Sequence, residues 1–450
     1  MEKYLKRKID QWLIDWKNKK DKSPALIVGI RQCGKTESIK NFAKNYYKNI
    51  IEMNFWTNPE YCSDFDGNLN VDTLISNISL RFPNIVIDPD NTIIFLDEIQ
   101  ECPRARLAFK NFKQDSRYDV IGSGSYLGIN GYVVGDTTPA PTGYDDVYHM
   151  HTMDFEEFLW ACGYHPNQIN QLVDYFNKKE PIPLTMHQQF KDLFLKYACI
   201  GGFPKAVKTY LKNHNVAEAV REVGNTVFDM KSDFGRRKGK DGKPVFKPAE
   251  VARIQSVFDL IPTFLAKENK RFIPSKIPTG SSFEKTNAIE YLVQAHIVSK
   301  VYNVEIPSLP LLGNKISNQF KLFPEDIGIV ASMYGVNTIA AINKGELGQG
   351  KGAIYEALVF DSLNKANIET FYFAKESGLE IDFVICYDLC SYLIEAKAKT
   401  GNTKSSKTVM NHPEHYGKTK LIKIGDYNIS QNGDIITIPH YLTFVLGKAQ

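Results

Sequence analysis

The run Gly29-Ile30-Arg31-Gln32-Cys33-Gly34-Lys35-Thr36 constrains this chain more than any other eight residues in it. It has the spacing G-x-x-x-x-G-K-[ST], between an apolar stretch at 25–28 and a segment at 35–47 with helical periodicity. Strand, loop and helix in that order make a backbone that wraps a phosphate. Gly29 and Gly34 allow the wrapping, the loop N–H groups turn inward, and the positive end of the helix dipole adds to the attraction. Lys35 would place its charge on the β- and γ-phosphates, and the Thr36 hydroxyl would ligate Mg²⁺. The nucleotide-binding candidates are therefore Gly29, Ile30, Arg31, Gln32, Cys33, Gly34, Lys35, Thr36 and Glu37, with ATP and Mg²⁺ as the expected ligands.

A second apolar run, Thr92-Ile93-Ile94-Phe95-Leu96-Asp97-Glu98, ends in two carboxylates. Asp97 at the strand end can hold magnesium through water, and Glu98 can orient and deprotonate an attacking water. The competing reading is a carboxylate pair that caps the helix after Pro103. The next strand ends Ile121-Gly122-Ser123-Gly124-Ser125. Ser123, or Ser125 beside it, would lie near the γ-phosphate as a sensor, unless the segment is simply a Gly/Ser turn.

The first third alternates short apolar runs (25–28, 50–55, 92–96, 119–121) with helical segments (35–47, 71–82, 104–113), the pattern of a parallel sheet flanked by helices. Residues 131–146, rich in Gly, Thr, Pro and Asp, read as a loop or hairpin. From 154 to 230 amphipathic helices take over, broken at Gly201-Gly202-Phe203-Pro204. A basic loop follows, with Arg236, Arg237, Lys238, Lys240 and Lys243. Two helices (251–267, 284–294) and two strands (298–304, 319–323) then have the order of a winged helix-turn-helix. The last hundred residues return to mixed α/β.

At 450 residues the chain has room for several domains, and 43% hydrophobic with 24% charged residues is ordinary globular composition. The net charge of +4 is too small to mark a nucleic-acid binder by itself. Seven scattered cysteines without a C-x-x-C pair suggest neither a disulfide framework nor a zinc site. No signal peptide or membrane span is read, so the expected location is cytoplasmic, with no membrane partner.

With these residues in hand, the chain resembles a family of archaeal and bacterial AAA-type P-loop ATPases fused to a restriction-endonuclease-like domain. The resemblance rests on 29–36, on Phe95-Leu96-Asp97-Glu98-Ile99-Gln100, on Gly122-Ser123, on Phe155-Glu156-Glu157-Phe158-Leu159, and on Gly201-Gly202-Phe203-Pro204. It implies an α/β multidomain protein: an ASCE-type P-loop sheet ordered 5-1-4-3-2 (1–150), a helical connector and basic loop (151–245), a winged helix (246–340) and a restriction-endonuclease-like α/β domain (341–450). Where the family carries a Gly-Arg pair before the fifth strand, this chain has Gly143-Tyr144. Arg236 and Arg237 are then the candidates for a nucleotide-sensing arginine, acting across a subunit interface of a homo-oligomer.

The resemblance extends to a C-terminal trio. Glu356 lies on a helix, Asp382 on a strand, and Glu395-Ala396-Lys397 ends the next strand. In restriction-type nucleases an Asp followed by Glu-x-Lys converges on Mg²⁺. Here Asp382, Glu395 and Glu356 would be the metal ligands, and Lys397 would position water or steady developing charge. Such domains also keep these carboxylates for folding or nucleic-acid docking. The recognition helix, with Lys285 and Asn287 but also Glu284 and Glu290, suits either DNA or a protein partner. Two readings lead: an ATPase whose cycle controls a DNA-binding, nuclease-like domain, or a nucleotide-dependent signalling switch whose C-terminal domain is a scaffold. A metabolic kinase is the third, and it has no use for the extra domains.

Overall fold

A computed structural model of the chain describes residues 4–125, 143–234, 246–267, 270–344, 351–397 and 403–448. Arg236, Arg237 and the rest of the basic loop lie outside the described residues. So does most of the 131–146 segment.

The N-terminal unit comprises residues up to His151 together with 246–247 and 294–296. It opens with helix α1 (Lys8–Asn18), whose buried Ile9, Leu13 and Trp16 recur at helical spacing. Five strands follow: β1 (Ala25–Gly29), β2 (Asn49–Asn54), β3 (Thr92–Asp97), β4 (Asp119–Gly124) and β5 (Asp146–Met150). Helix α2 (Lys35–Tyr46) leaves β1, and α3 (Val71–Arg81) joins β2 to β3. Two short helices, α4 (Pro103–Leu107) and α5 (Phe109–Asp115), lead into β4. All pairings are parallel, in the order β2-β3-β4-β1-β5, which is the order 5-1-4-3-2 that the family resemblance implies. The buried central strands β1 and β3 are apolar almost throughout, because both sheet faces are covered. One core packs beneath them, from Leu26 and Val28 through Ile94 and Leu96 to Phe109 and Phe112.

The second unit takes in 152–234, 248–293 and 297–450. Its helices are α6 (Phe155–Ala161), α7 (Pro166–Lys178), α8 (Leu184–Ile200), α9 (Pro204–Asn213), α10 (Val216–Asp233), α11 (Pro248–Leu265), α12 (Ser282–Gln294), α13 (Ile327–Tyr334), α14 (Val336–Asn343), α15 (Lys351–Lys365), α16 (Lys404–Asn411) and α17 (Pro413–Tyr416). Its sheet is mixed, in the order β12-β13-β11-β10-β9-β8-β6-β7. The strands are β6 (Val298–Val304), β7 (Lys315–Pro324), β8 (Thr370–Ala374), β9 (Glu380–Tyr387), β10 (Cys390–Ala396), β11 (Thr419–Gly425), β12 (Ser430–Asn432) and β13 (Ile435–Pro439). Helix α15, the β8-β9-β10 meander, α16, and β11 parallel to β10 form its C-terminal half.

The boundary drawn from the sequence at 340/341 runs through this sheet. The hairpin β6–β7, read as the wing, pairs edge-on with β8, in the register Tyr302↔Phe371. Asn303 strengthens the seam by copying a backbone pair: its Nδ2 donates to Ala374 O at 3.0 Å, and Ala374 N–H donates to its Oδ1 at 2.9 Å. An open strand edge is satisfied in this way, which a freestanding two-strand wing would leave to solvent.

A buried polar network joins the connector helices to the C-terminal half. Lys365 Nζ reaches Asp326 Oδ2 and Asp361 Oδ1, each at 2.8 Å, and Tyr197 OH at 2.9 Å. Tyr197 donates to Asp361 Oδ2 at 2.7 Å, and Gly202 N–H donates to Asp326 Oδ2 at 2.9 Å. One lysine serves both carboxylates, and hydrogen bonds from Thr152, Gly328 and Ile327 complete them, which is how buried ions are tolerated. This network also accounts for the Gly-Gly break. A Cβ on Gly201 would stand 2.0 Å from Asp326 Oδ1, and one on Gly202 would stand 1.9 Å from Met153 O.

Candidate functional site

The phosphate loop is built by close approach. A Cβ on Gly29 would lie 2.3 Å from Met150 O on β5, so only glycine lets the two parallel strands end there together. Gln32 and Gly34 adopt positive φ, 63° and 104°, and turn the chain into α2. Ile30 and Cys33 are buried, so only their backbone groups face the loop. Lys35 Nζ donates to the carbonyls of Gly29 at 3.0 Å and Ile30 at 3.2 Å, which holds its charge at the loop. Arg31 lies over the Trp56 ring, 5.7 Å from the centroid.

Three elements converge on Asp97, which is 3% exposed. Thr36 Oγ1 from α2 donates to Oδ2 at 3.1 Å, Asn54 Nδ2 from β2 donates to Oδ2 at 2.9 Å, and Ser123 Oγ from β4 donates to Oδ1. The Glu98 N–H adds a bond to Oδ1 at 3.1 Å. The residues named from the sequence as Thr36, Asp97 and Ser123 are thus in direct contact. Parallel order explains why: β4 lies between β1 and β3, so its end must meet both. Glu98 takes a left-handed backbone at φ 52°, a conformation uncommon outside glycine that aims its side chain off the strand axis. Gln100 Nε2 holds its Oε2. A hydroxyl and a carboxylate this close, at the N-terminus of α2, suit a hard divalent cation with phosphate oxygens.

Two contributors went unread in the sequence. Asn54 is the register partner of Asp97, a position that becomes visible only once β2 and β3 are aligned. Arg7 is buried, and donates through Nη1 to Cys33 O at 2.7 Å and through Nη2 to His151 O at 2.8 Å. It ties the loop to the residue just past β5 from a helix cap far away in sequence.

In the second unit the register that pairs Phe383 with Ile394 sets Asp382 opposite Glu395. Lys397 Nζ stands between them, 2.6 Å from Glu395 Oε2 and 3.6 Å from Asp382 Oδ2. Asp382 Oδ2 also accepts from Ala396 N–H at 2.9 Å, and Ser406 Oγ donates to Glu395. Burial pushes the Glu395 carboxyl up and the Asp382 charge adds to it, against Lys397. Burial alone would lower Lys397, but Asp382 and Glu395 hold it above the ordinary lysine range.

Glu356 is fully buried, and two lysines that the sequence did not single out hold it: Lys321 at 2.9 Å, and Lys270. Burial would raise its pKa, and Lys321 and Lys270 outweigh that and lower it. Among the described residues no group of three or more His, Cys, Asp or Glu side chains is disposed to hold a metal ion. Asp382, Glu395 and Lys397 come together across β9 and β10, and Glu356 is linked to them through Lys270, which pairs with Glu356 and also feels the Asp382 charge. Lys270 follows α11 and Lys321 lies on β7, elements with no sequence link to the Asp…Glu-x-Lys pattern.

Fold, strand order and loop chemistry define the N-terminal unit as an AAA-type P-loop ATPase domain. In agreement, residues 21–159 match a family model described as an AAA domain. Residues 191–340 and 351–441 match two families described only as domains of unknown function, DUF8612 and DUF4143. No curated protein matches the chain. Among solved structures, a Walker-type ATPase of Pyrococcus abyssi is similar at 12% identity and TM-score 0.41, over 73% of this chain and 95% of that one. The ORC2 protein of Aeropyrum pernix, in ADPNP and ADP complexes, is similar at 13% identity and TM-score 0.30, over 76% and 96%. The Aeropyrum pernix ORC1 protein in complex with DNA gives 11% and 0.26, over 76% and 95%. No described helix is long and apolar enough to cross a membrane.

Proposed function

We propose that this protein binds ATP with magnesium at 29–37, hydrolyses it, and uses the nucleotide cycle to control a second unit that binds nucleic acid. The observation that carries the ATPase reading is the meeting of Thr36, Asp97 and Ser123 beneath a glycine-built phosphate loop. Thr36 and Asp97 would hold the magnesium, which supplies charge neutralisation at the β- and γ-phosphates. Lys35 binds phosphate oxygens, and Glu98, steadied by Gln100, takes a proton from the attacking water. Arg236 and Arg237 remain the proposed sensing arginines of a homo-oligomer. Magnesium-dependent turnover is expected in the wild type, with at least a hundredfold loss in Glu98→Gln, and with stimulation by duplex or single-stranded DNA. Turnover indifferent to DNA would sink the control of a nucleic-acid-binding unit, and full turnover in Glu98→Gln would sink its role as base.

A second reading has its own support. Asp382, Glu395 and Glu356 all lie in ion pairs with lysines, Asp382 and Glu395 sharing Lys397. A scaffold that docks a protein partner through the second unit, in a nucleotide-dependent switch, is consistent with that. The two readings part on magnesium-dependent nicking of DNA. Nicking that disappears in Asp382→Ala assigns a nuclease; equal nicking by wild type and variant would remove this cluster from the chemistry.

A further inference from the structure

The phosphate loop leaves the end of β1, and in the sheet β4 and β3 separate that end from the end of β2. Three strand spacings set the two ends about 14 Å apart. Two side chains nevertheless meet across the gap. The Arg31 guanidinium, from the loop, lies over the ring of Trp56, which follows β2, 5.7 Å from its centroid. Their contact therefore spans the ends of β4 and β3, the strands that carry Ser123 and Asp97.

Hydrogen bonds close the arrangement into a ring. Trp56 N–H donates to Asn54 Oδ1 at 3.1 Å and Thr57 N–H to the same oxygen at 2.9 Å, so Asn54 sets the turn that carries the indole. Asn54 Nδ2 in turn donates to Asp97 Oδ2 at 2.9 Å. Thr36 Oγ1 donates to that oxygen at 3.1 Å, and Thr36 ends the loop to which Arg31 belongs. The ring encloses the place assigned above to magnesium and the terminal phosphate. Trp56 is 54% exposed, so the core does not hold the indole there. Magnitudes decide what Arg31 does when a terminal phosphate arrives. A cation–π contact at an exposed site is worth roughly two- to fivefold in an equilibrium constant. A charge-assisted hydrogen bond from a guanidinium is worth about ten- to a hundredfold, and the planar fork can place two on one phosphate. The phosphate wins. ADP offers no third phosphate, and the guanidinium stays on the indole.

We propose that Arg31 is the γ-phosphate-binding side chain that tells ATP from ADP at this site, resting on Trp56 until a γ-phosphate draws it away. The proposal rests on the reading of 29–37 as an ATP site. It gives the distinction to a residue of the loop itself, acting within one chain, whereas Arg236 and Arg237 would act from a neighbouring subunit. Trp56 is then the side chain whose surroundings change when ATP replaces ADP.

The test is tryptophan emission and calorimetric titration of the full chain in magnesium, with β,γ-imido-ATP and with ADP. In the wild type the two nucleotides should give different emission. Trp56→Phe, which leaves Trp12, Trp16 and Trp160 in place, should abolish that difference. Arg31→Ala should also abolish it, and should weaken the imido analogue at least tenfold while ADP changes less than threefold. Arg31→Lys keeps the charge without the fork and should recover only part of the loss. Trp56→Ala should act in the opposite sense, tightening the analogue two- to fivefold with ADP unchanged, because the resting contact no longer competes. Neither side chain belongs to the buried core, so these variants leave it intact. Equal losses of analogue and ADP in Arg31→Ala overturn the proposal and leave the ATP reading standing, as does an emission difference that survives this variant. An analogue bound no tighter by Trp56→Ala overturns the resting place on the indole. Failure of both nucleotides to bind the wild type overturns the proposal together with the ATP reading.

Discussion

Arg7 serves two elements at once. Its backbone N–H donates to Asp10 Oδ2 at 2.9 Å and so starts α1, while its guanidinium clamps the carbonyls of Cys33 and His151. Removing the side chain leaves a buried carbonyl on the phosphate loop without its donor, at a cost of about 1–3 kcal/mol. Because that carbonyl belongs to the loop itself, part of the cost falls on nucleotide binding. Arg7→Ala is therefore expected to raise the KM for ATP several-fold with a smaller change in kcat. Steady-state kinetics would show it, and an unchanged KM would mean that the loop keeps its shape alone. Asp97 makes the complementary point. Four donors satisfy it, and only one of them, its own neighbour's N–H, is local in sequence.

At the scale of elements, the turn between α8 and α9 shows what a Gly-Gly pair can be for. Gly201 has φ 67°, and neither glycine has room for a Cβ, because Asp326 and Met153 press against them. The turn is a packing joint for the Asp326–Lys365–Asp361 network and a helix terminator at once. Gly202→Ala should push Met153 away and loosen the bond to Asp326, destabilising the second unit by about 3 kcal/mol, the upper end of overpacking costs. Urea unfolding followed by a probe in that unit measures this, and a loss below about 1 kcal/mol would show that the joint can yield. The hairpin β6–β7 tells a similar story. Its helix-helix-strand-strand order was legible in the sequence, and its membership of the C-terminal sheet was not, because pairing with β8 rests on a contact across about seventy residues.

At the scale of the whole molecule, two buried groups make stability depend on pH in opposite senses. His440 is held near 4 against an ordinary value of 6.5, with burial as the main cause. Its folded pKa is depressed, so the unfolded chain binds the extra proton. Its contribution is full above about 6.5 and is lost as pH falls through 4. Asp361 is pushed up to about 6 from 3.8, by burial first. The folded state binds its proton more readily, so stability grows from this group as pH falls through 6. The two partly cancel in the wild type, and a comparison with His440→Phe isolates the histidine. Between pH 7 and 4.5 the wild type should lose about 2 to 3 kcal/mol relative to the variant, since each tenfold difference in proton affinity between the folded and unfolded chain is worth about 1.4 kcal/mol. Denaturant midpoints at the two pH values decide it: parallel changes in both proteins would mean that His440 titrates normally.

The sequence by itself determined the features whose physics is local or periodic. The phosphate loop needs glycines at fixed spacing before a helix, the buried parallel strands need unbroken apolar runs, and carboxylates at the end of β3 follow from that strand's length. These residues act within one strand-loop-helix unit, so their order along the chain already carries their geometry. Only the tertiary structure decided what meets across elements. It set Arg7 on the phosphate loop and Asn54 on Asp97, Lys270 and Lys321 on Glu356, and the β6–β7 hairpin in the large sheet. It also buried His440, with no hydrogen-bond partner at Nε2. Each of these depends on burial and on distances between segments far apart in sequence, where desolvation and ion pairing set the energies and no spacing rule applies.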